Sequence, residues 1–395
     1  MPTNLRNQAR PLVSTLWIIS LSLAILPTIT NGQQQTSTPP PPPIRTSFQF
    51  ISANPNIFRN TTQMLSSRGF SSELHYPVTK DGYILTTVRV INPYITDRSN
   101  LRPILFQHGL FGNADDFLLA PEGRLVNGVY YEMPGFVATN CTGGNGTEPV
   151  STSLMLALAA CGYDVWLSNY RGNRYSTRHV VLDQSDAEYW TFSVDEYALY
   201  DIPTNIEYIL SVTGRAELGY VGHSLGTSAM FQMLSARPQY SALVRPYIAL
   251  APVAHVANIR ALLLQVAAHT TPLIDTLGIL NAPFFGLNSG LLSLLDQAIA
   301  SLICGNDLLR PLCTIFLFSL CGFDSANTDD NMVIEAFGHF PDGTSSRVLA
   351  HLGQRVVRDD FNFFDYGPRK NMDLYRTSQA PAYNLSAITN RYMIF

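Results

Sequence analysis

Apolar positions along this chain follow two rhythms. Short runs rich in β-branched and aromatic residues, Tyr83 to Ile91, Pro103 to Gln107, Tyr163 to Ser168, Glu217 to Val221 and Tyr247 to Leu250, recur between stretches patterned like helices. That alternation predicts an α/β fold, a mostly parallel sheet flanked by helices on both faces. Asp81-Gly82, just before the first run, is a turn signal, so the sheet is expected to open with an antiparallel pair. Thr227 to Ser235 carries Ala229, Met230, Met233 and Leu234 on one face and reads as a helix. From residue 254 to about 345 the alternation gives way to long apolar stretches, Ala261 to Leu264, Leu287 to Leu295 and Ile315 to Leu320. A helical insertion of this kind is either a lipid-facing cap or a second core.

Two N-terminal segments stand apart from that pattern. Arg6 and Arg10 precede an apolar stretch from Leu12 to Leu26, then Pro27 and small or polar residues to Gly32. This is the layout of a secretory signal peptide over 1–32, and the apolar run is short for a membrane span of about 20 residues. Residues 33–45, with Gln33 to Gln35 and Pro39 to Pro43, read as a solvated linker biased to polyproline II. The expected division is then 46–253 for the first part of the core, 254–360 for a helical cap or lid, and 361–395 for an incomplete return to the core.

Composition narrows the function classes. With 46% hydrophobic and 14% charged residues over 395 positions, the chain is neither fibrous nor wholly disordered. A formal charge of -4 argues against nucleic acid as a partner. Five cysteines without C-x-x-C spacing suggest neither a stapled mini-fold nor a zinc ribbon, and no H-E-x-x-H, P-loop or G-x-G-x-x-G signature calls for a metal or cofactor. Cys304 and Cys313, nine positions apart, could close a short loop; Cys141, Cys161 and Cys321 remain, an odd count, and Cys161 and Cys321 read as ordinary buried residues. Sequons at Asn60, Asn140, Asn145 and Asn384 are N-glycosylation candidates and agree with a secreted or lysosomal route.

The sharpest chemical signal is Gly222-His223-Ser224-Leu225-Gly226, entered from the strand at Glu217 to Val221 and left by a helix. A strand-to-helix turn this tight strains the serine backbone and needs small residues two positions either side. It lifts Ser224 Oγ above the sheet at a helix N-terminus, where developing negative charge is favoured. A nucleophilic serine also needs donors for a tetrahedral oxyanion. The Leu225 amide is one candidate, and the Leu110 amide, in the His108-Gly109-Leu110 loop after the strand Pro103 to Gln107, is the other. His108 itself is expected to brace that loop rather than to act as a base.

The chain from about residue 56 resembles the acid lipases, the gastric and lysosomal family within the α/β-hydrolases. The segments that carry the resemblance are Val78 to Leu85, Gln107 to Leu110, Gly162 to Asn173, Trp190 to Asp201, Val221 to Thr227, Pro341 to Ser345 and Phe364 to Gly367. It implies hydrolysis of acyl esters of neutral lipids at a lipid-water interface through an acyl-enzyme on Ser224. It also implies a lidded cap, no cofactor, no transmembrane span after signal cleavage, and a disulfide between Cys304 and Cys313. Residues Pro121 to Val150 are longer than the family's usual loop.

In the order Ser, acid, His of this fold, the last two positions are expected beyond the strand that Ile388 to Phe395 begins, so no residue of this sequence occupies them. His255, His269, His339 and His351 read as structural, and Asp195, Glu196 and Asp201 as a solvated or capping helix face. Besides the lipase, an inactive lipase-like protein that binds lipid or a partner, and an esterase for small soluble esters, are the alternative readings.

Overall fold

The computed structural model describes residues 54–395, apart from 134–136, 140, 142–150, 262–264, 266–267, 270–280, 285–288, 327, 391–392 and 395. The expected signal peptide and linker, with the sequons at Asn140 and Asn145, lie outside the described residues. Residues 49–395 form one compact unit.

After helix α1 (Thr61–Ser67), strand β1 (Ser71–His75) runs antiparallel to β3 (Thr87–Ile91), with the short β2 (Tyr83–Ile84) between them. The sheet therefore opens on the antiparallel pair expected from the turn at Asp81-Gly82. The long first run is broken after Ile84. There the Leu85 amide donates to Pro77 O and the Thr86 amide to Ser176 Oγ instead of to a neighbouring strand.

The chain continues through β4 (Arg102–Gln107), a small antiparallel sheet β5–β6–β7 (Gly123–Val126, Val129–Glu132, Val137–Ala138), α2 (Leu154–Ala160), β8 (Tyr163–Ser168) and β9 (Arg178–His179). Next come α3 (Val194–Glu196), a π-turn at Tyr197–Asp201, and α4 (Ile202–Thr213). Strand β10 (Leu218–His223), α5 (Leu225–Ala236) and β11 (Val244–Leu250) follow. Beyond a helical region, β12 (Pro283–Phe284) pairs with β13 (Thr344–Ser345), and β14 (Met393–Ile394) joins the main sheet. The seven-stranded order is β1-β3-β8-β4-β10-β11-β14, parallel from β8 onward.

Both faces of this sheet are covered, which explains why its strands read as nearly unbroken apolar runs. Leu105, Trp166, Tyr220 and Tyr247 point into one core with Ile202, Ile206, Met230 and Phe231 of α4 and α5. Their neighbours Ile104, Phe106, Val165, Leu167 and Val221 point the other way, against Met64 and Leu65 of α1 and Met155 and Leu156 of α2. Helix α5 was expected to show one apolar face. It lies in the interior, with every residue from Leu225 to Ser235 buried, so its sequence carries no outward polar stripe.

The helical region has a small core of its own, where Ile57 packs with Ala300, Cys304, Cys313, Val333, Ile334 and Phe337. It also exposes apolar side chains: Leu308, Leu312, Ile315 and Phe323 are all largely solvent-accessible. A core of its own, the second of the two sequence readings, is therefore present, beside an apolar outer surface. Among the described residues no helix is long and apolar enough to cross a membrane.

Three sequence expectations are corrected. Cys161 is not a plain buried thiol: it is disulfide-bonded to Cys141, which ties the β5–β7 insertion to the end of α2. Cys321 is free but exposed, because the helix Arg310–Cys321 buries only Cys313. Asp195 and Asp201 are not a solvated face; both are buried and bound by partners from distant segments, while Glu196 does act as a cap, closing a capping box with Ser193. Cys304 and Cys313 are joined to each other.

Candidate active site

Strand β10 delivers the chain to Ser224 at the C-terminal edge of the sheet, and α5 starts at the next residue. Ser224 adopts φ 51°, ψ -115°, a backbone region that residues with a Cβ rarely enter. The Ser224 amide donates to Leu250 O at 2.9 Å, so the turn is pinned to the end of β11. Close approach of backbones explains the glycines on either side. A Cβ on Gly226 would lie 2.5 Å from Gln107 O, and one on Gly222 would lie 2.9 Å from the Gly226 carbonyl carbon. Both distances are below any tolerated contact, so a larger residue would push α5 off the ends of β4 and β10. His223 is exposed beside the serine.

The loop after β4 meets the elbow directly: a Cβ on Gly109 would sit 3.0 Å from Ser224 Cβ. Leu110 follows, its side chain packed against the main core. Among the described residues, neither the Leu110 amide nor the Leu225 amide is taken by an acceptor. Two donors beside one serine are what an oxyanion requires.

His108 is buried under this loop. Its Nε2 accepts from the Tyr170 amide at 3.1 Å, which leaves the proton on Nδ1 to donate to Gly109 O at 2.9 Å; Asn173 Nδ2 also faces Nε2, at 3.3 Å. Burial holds its pKa down to about 4. Both ring nitrogens are committed to fixing the loop.

Two further residues hold the same region. The Asp342 amide donates to Phe111 O at 2.7 Å, and its carboxylate accepts from Asn113 Nδ2 at 2.7 Å and from Arg174 Nε at 3.0 Å. The Thr227 hydroxyl bonds both the Ser224 carbonyl and the Val253 amide. Neither role was assigned from sequence, although Thr227 and Asp342 both stand in segments that resemble the acid lipases.

Among the described residues none of the four later histidines hydrogen-bonds to Ser224. His339 is buried, with Nδ1 2.8 Å from Asp115 Oδ2 and Nε2 2.9 Å from Asn56 O. Burial opposes its charge, but Asp115 outweighs burial and raises its pKa. His351 donates from Nε2 to Asn362 O, and burial, reinforced by Arg355, lowers its pKa well below the usual value. His255 and His269 are exposed. Asn60 and Asn384 are exposed too, each using only its side-chain oxygen, as the N-cap of a short helix.

A mostly parallel sheet, a strained serine between strand and helix, and two free amides beside it, one from a neighbouring loop and one from the helix start, define an α/β-hydrolase. A family model described as the α/β hydrolase fold matches residues 102–258, and one for a partial α/β-hydrolase lipase region matches 61–120. Human gastric triacylglycerol lipase is 33% identical over 345 residues, covering 85% of this chain and 76% of the relative. Human lipase member K is 32% identical over 338 residues, and human lysosomal acid lipase/cholesteryl ester hydrolase 31% identical over 338, each covering 85% of this chain and 76% of the relative. The chain belongs to the gastric and lysosomal acid lipase family, and is an ester hydrolase.

Proposed function

We propose that Ser224 is the nucleophile of this hydrolase and that the Leu110 and Leu225 amides stabilise the oxyanion. The observation that carries the reading is the positive φ of Ser224 at the junction of β10 and α5, against a loop whose backbone approaches its Cβ. Attack of Oγ on an ester carbonyl forms a tetrahedral oxyanion facing the two amides. Collapse expels the alcohol, which takes up the proton lost by Oγ, and water then releases the acid from the acyl-enzyme.

For the substrate we infer acyl esters of neutral lipids. Its relatives include a gastric triacylglycerol lipase and a lysosomal acid lipase/cholesteryl ester hydrolase. The exposed apolar side chains of the helical region suit a cap that meets a lipid-water interface. The signal-like N-terminus, two disulfides and exposed sequons at Asn60 and Asn384 support a secreted or lysosomal glycoprotein.

A fluorophosphonate probe tests the nucleophile: it should label the full chain and fail on Ser224→Ala, and equal labelling of both would reject the assignment. Fatty acid release from a triacylglycerol emulsion, compared with a short soluble ester, tests the substrate class. Preference for the soluble ester would overturn the neutral-lipid reading.

A further inference from the structure

Away from the elbow, three arginines face one cavity. It holds about 390 Å³ beside α1 and the first residues of β5, and Arg59, Arg68 and Arg124 lie on its wall with Glu122 as the sole carboxylate among its lining residues. The formal charge of that lining is therefore +2. Arg68 is 2% exposed. Its Nη2 donates to Leu118 O at 3.0 Å and Ala120 O at 3.1 Å and its Nη1 to Met64 O at 3.5 Å, so this guanidinium contributes chiefly its charge to the wall. The carboxylate of Glu335 approaches it only to 4.0 Å.

The other two guanidiniums have donors to spare. Arg59 commits Nη1 to Asn56 Oδ1 at 2.8 Å, and Arg124, on the exposed edge of β5, has no hydrogen-bond or ion-pair partner among the described residues. Behind the wall the Tyr130 hydroxyl faces the Arg68 guanidinium, and it lies 2.2 Å from where a Cβ on the lining residue Gly123 would stand. Arginines that serve only the fold are normally saturated by carbonyls or carboxylates. Here three converge on one cavity with Glu122 as the carboxylate of the lining and Glu335 behind it beside Arg68, which leaves the donors of Arg59 and Arg124 facing the space that Tyr131 and Met133 also line.

We propose that this cavity binds a phosphate group, as a free dianion or as the phosphomonoester headgroup of a lipid. A phosphate monoester carries about -1.5 to -2 charge at neutral pH and three acceptor oxygens, which matches the +2 lining and the forked donors. A carboxylate would neutralise only half of it. The volume falls within the range of about 300–1,000 Å³ usual for small-ligand sites. The site does not depend on the assignment of Ser224.

The test uses the full chain and inorganic phosphate, titrated calorimetrically against chloride at constant ionic strength. Saturable binding is expected, weakened at least about tenfold in Arg59→Gln/Arg124→Gln and strengthened in Glu122→Gln, with hydrolysis of a soluble ester unchanged in all three. Phosphatidylcholine vesicles with and without phosphatidic acid separate the two sources. Capture by the acidic vesicles alone, reversed by phosphate, assigns the headgroup; binding of inorganic phosphate without vesicle capture assigns the free ion. Absence of binding to both, or equal affinity in the double variant and the parent chain, would overturn the proposal.

Discussion

Thr227 holds Ser224 from behind: its hydroxyl donates to the Ser224 carbonyl at 2.6 Å while accepting from the Val253 amide at 2.9 Å. One side chain thereby fastens the strained turn to the segment leaving β11. Thr227→Val keeps the shape and removes the hydroxyl, leaving a carbonyl and an amide unpaired at a cost of about 1–3 kcal/mol. Turnover should fall about tenfold with KM little changed, since about 1.4 kcal/mol of barrier is tenfold in rate. Thr227→Ser should recover most of it. Steady-state kinetics on a soluble ester decide, and an unaffected Thr227→Val enzyme would remove the positioning role.

His108 gives the fold an acid-sensitive point. Its folded pKa, held at about 4 by burial, lies below the ordinary value of 6.5. The unfolded chain therefore binds the proton first as pH falls, and stability drops between about pH 6.5 and 4, by about 3 kcal/mol at most. Asp195 acts in the opposite sense: burial raises its pKa, so its contribution is fully present below the ordinary carboxylate range and is lost as pH rises through the raised value. In urea denaturation from pH 7 to 4, His108→Gln should lose less stability than the parent, and Asp195→Asn should lose more.

Arg171 is fully buried and bonded to Asp201, with Nε at 2.8 Å and Nη2 at 2.6 Å from the same oxygen, and it also pairs with Asp81. Removing one member of such a pair strands the other charge, so Asp201→Ala should cost about 3–5 kcal/mol. Restoring the soluble-ester rate at low temperature, where the variant remains folded, would mark the loss as structural.

Cys141 and Cys161 close a loop over a separation of 20 residues. Opening it frees the unfolded chain by about 3 kcal/mol. Cys141→Ser/Cys161→Ser should therefore melt several degrees lower, with the soluble-ester rate retained below the transition. An unchanged melting temperature would mean that the insertion is held by other contacts, such as the Glu132 carboxylate on the Thr152 amide.

What was legible in the sequence was what is local. Strand β8 was legible because Val165, Trp166 and Leu167 form an unbroken apolar run in a strand buried on both faces, while Asp164 is accommodated there by pairing with Arg89. The elbow was legible because five consecutive residues encode it. Asp195 was misread because its partners stand far off: Gln232, Phe364 and Tyr383 bond its carboxylate from 37, 169 and 188 positions away. The same distance hid Asp342, which reaches back 229 positions to Asn113, whereas the Cys141–Cys161 pairing spans only 20 positions and was missed because Cys161 stands in an apolar run.

The satellite core around Ile57 sets a timetable for synthesis. Asn56 O meets His339 Nε2 across 283 positions, and Ile57 is buried in part by Val333, Ile334 and Phe337 of the helix Asp330–His339 that ends on this histidine. At roughly 5–20 residues per second, the ribosome needs about 15–60 s to supply them. The native cover of Ile57 is thus made only with residues 300–337, and the segment that starts the domain waits for it through that interval.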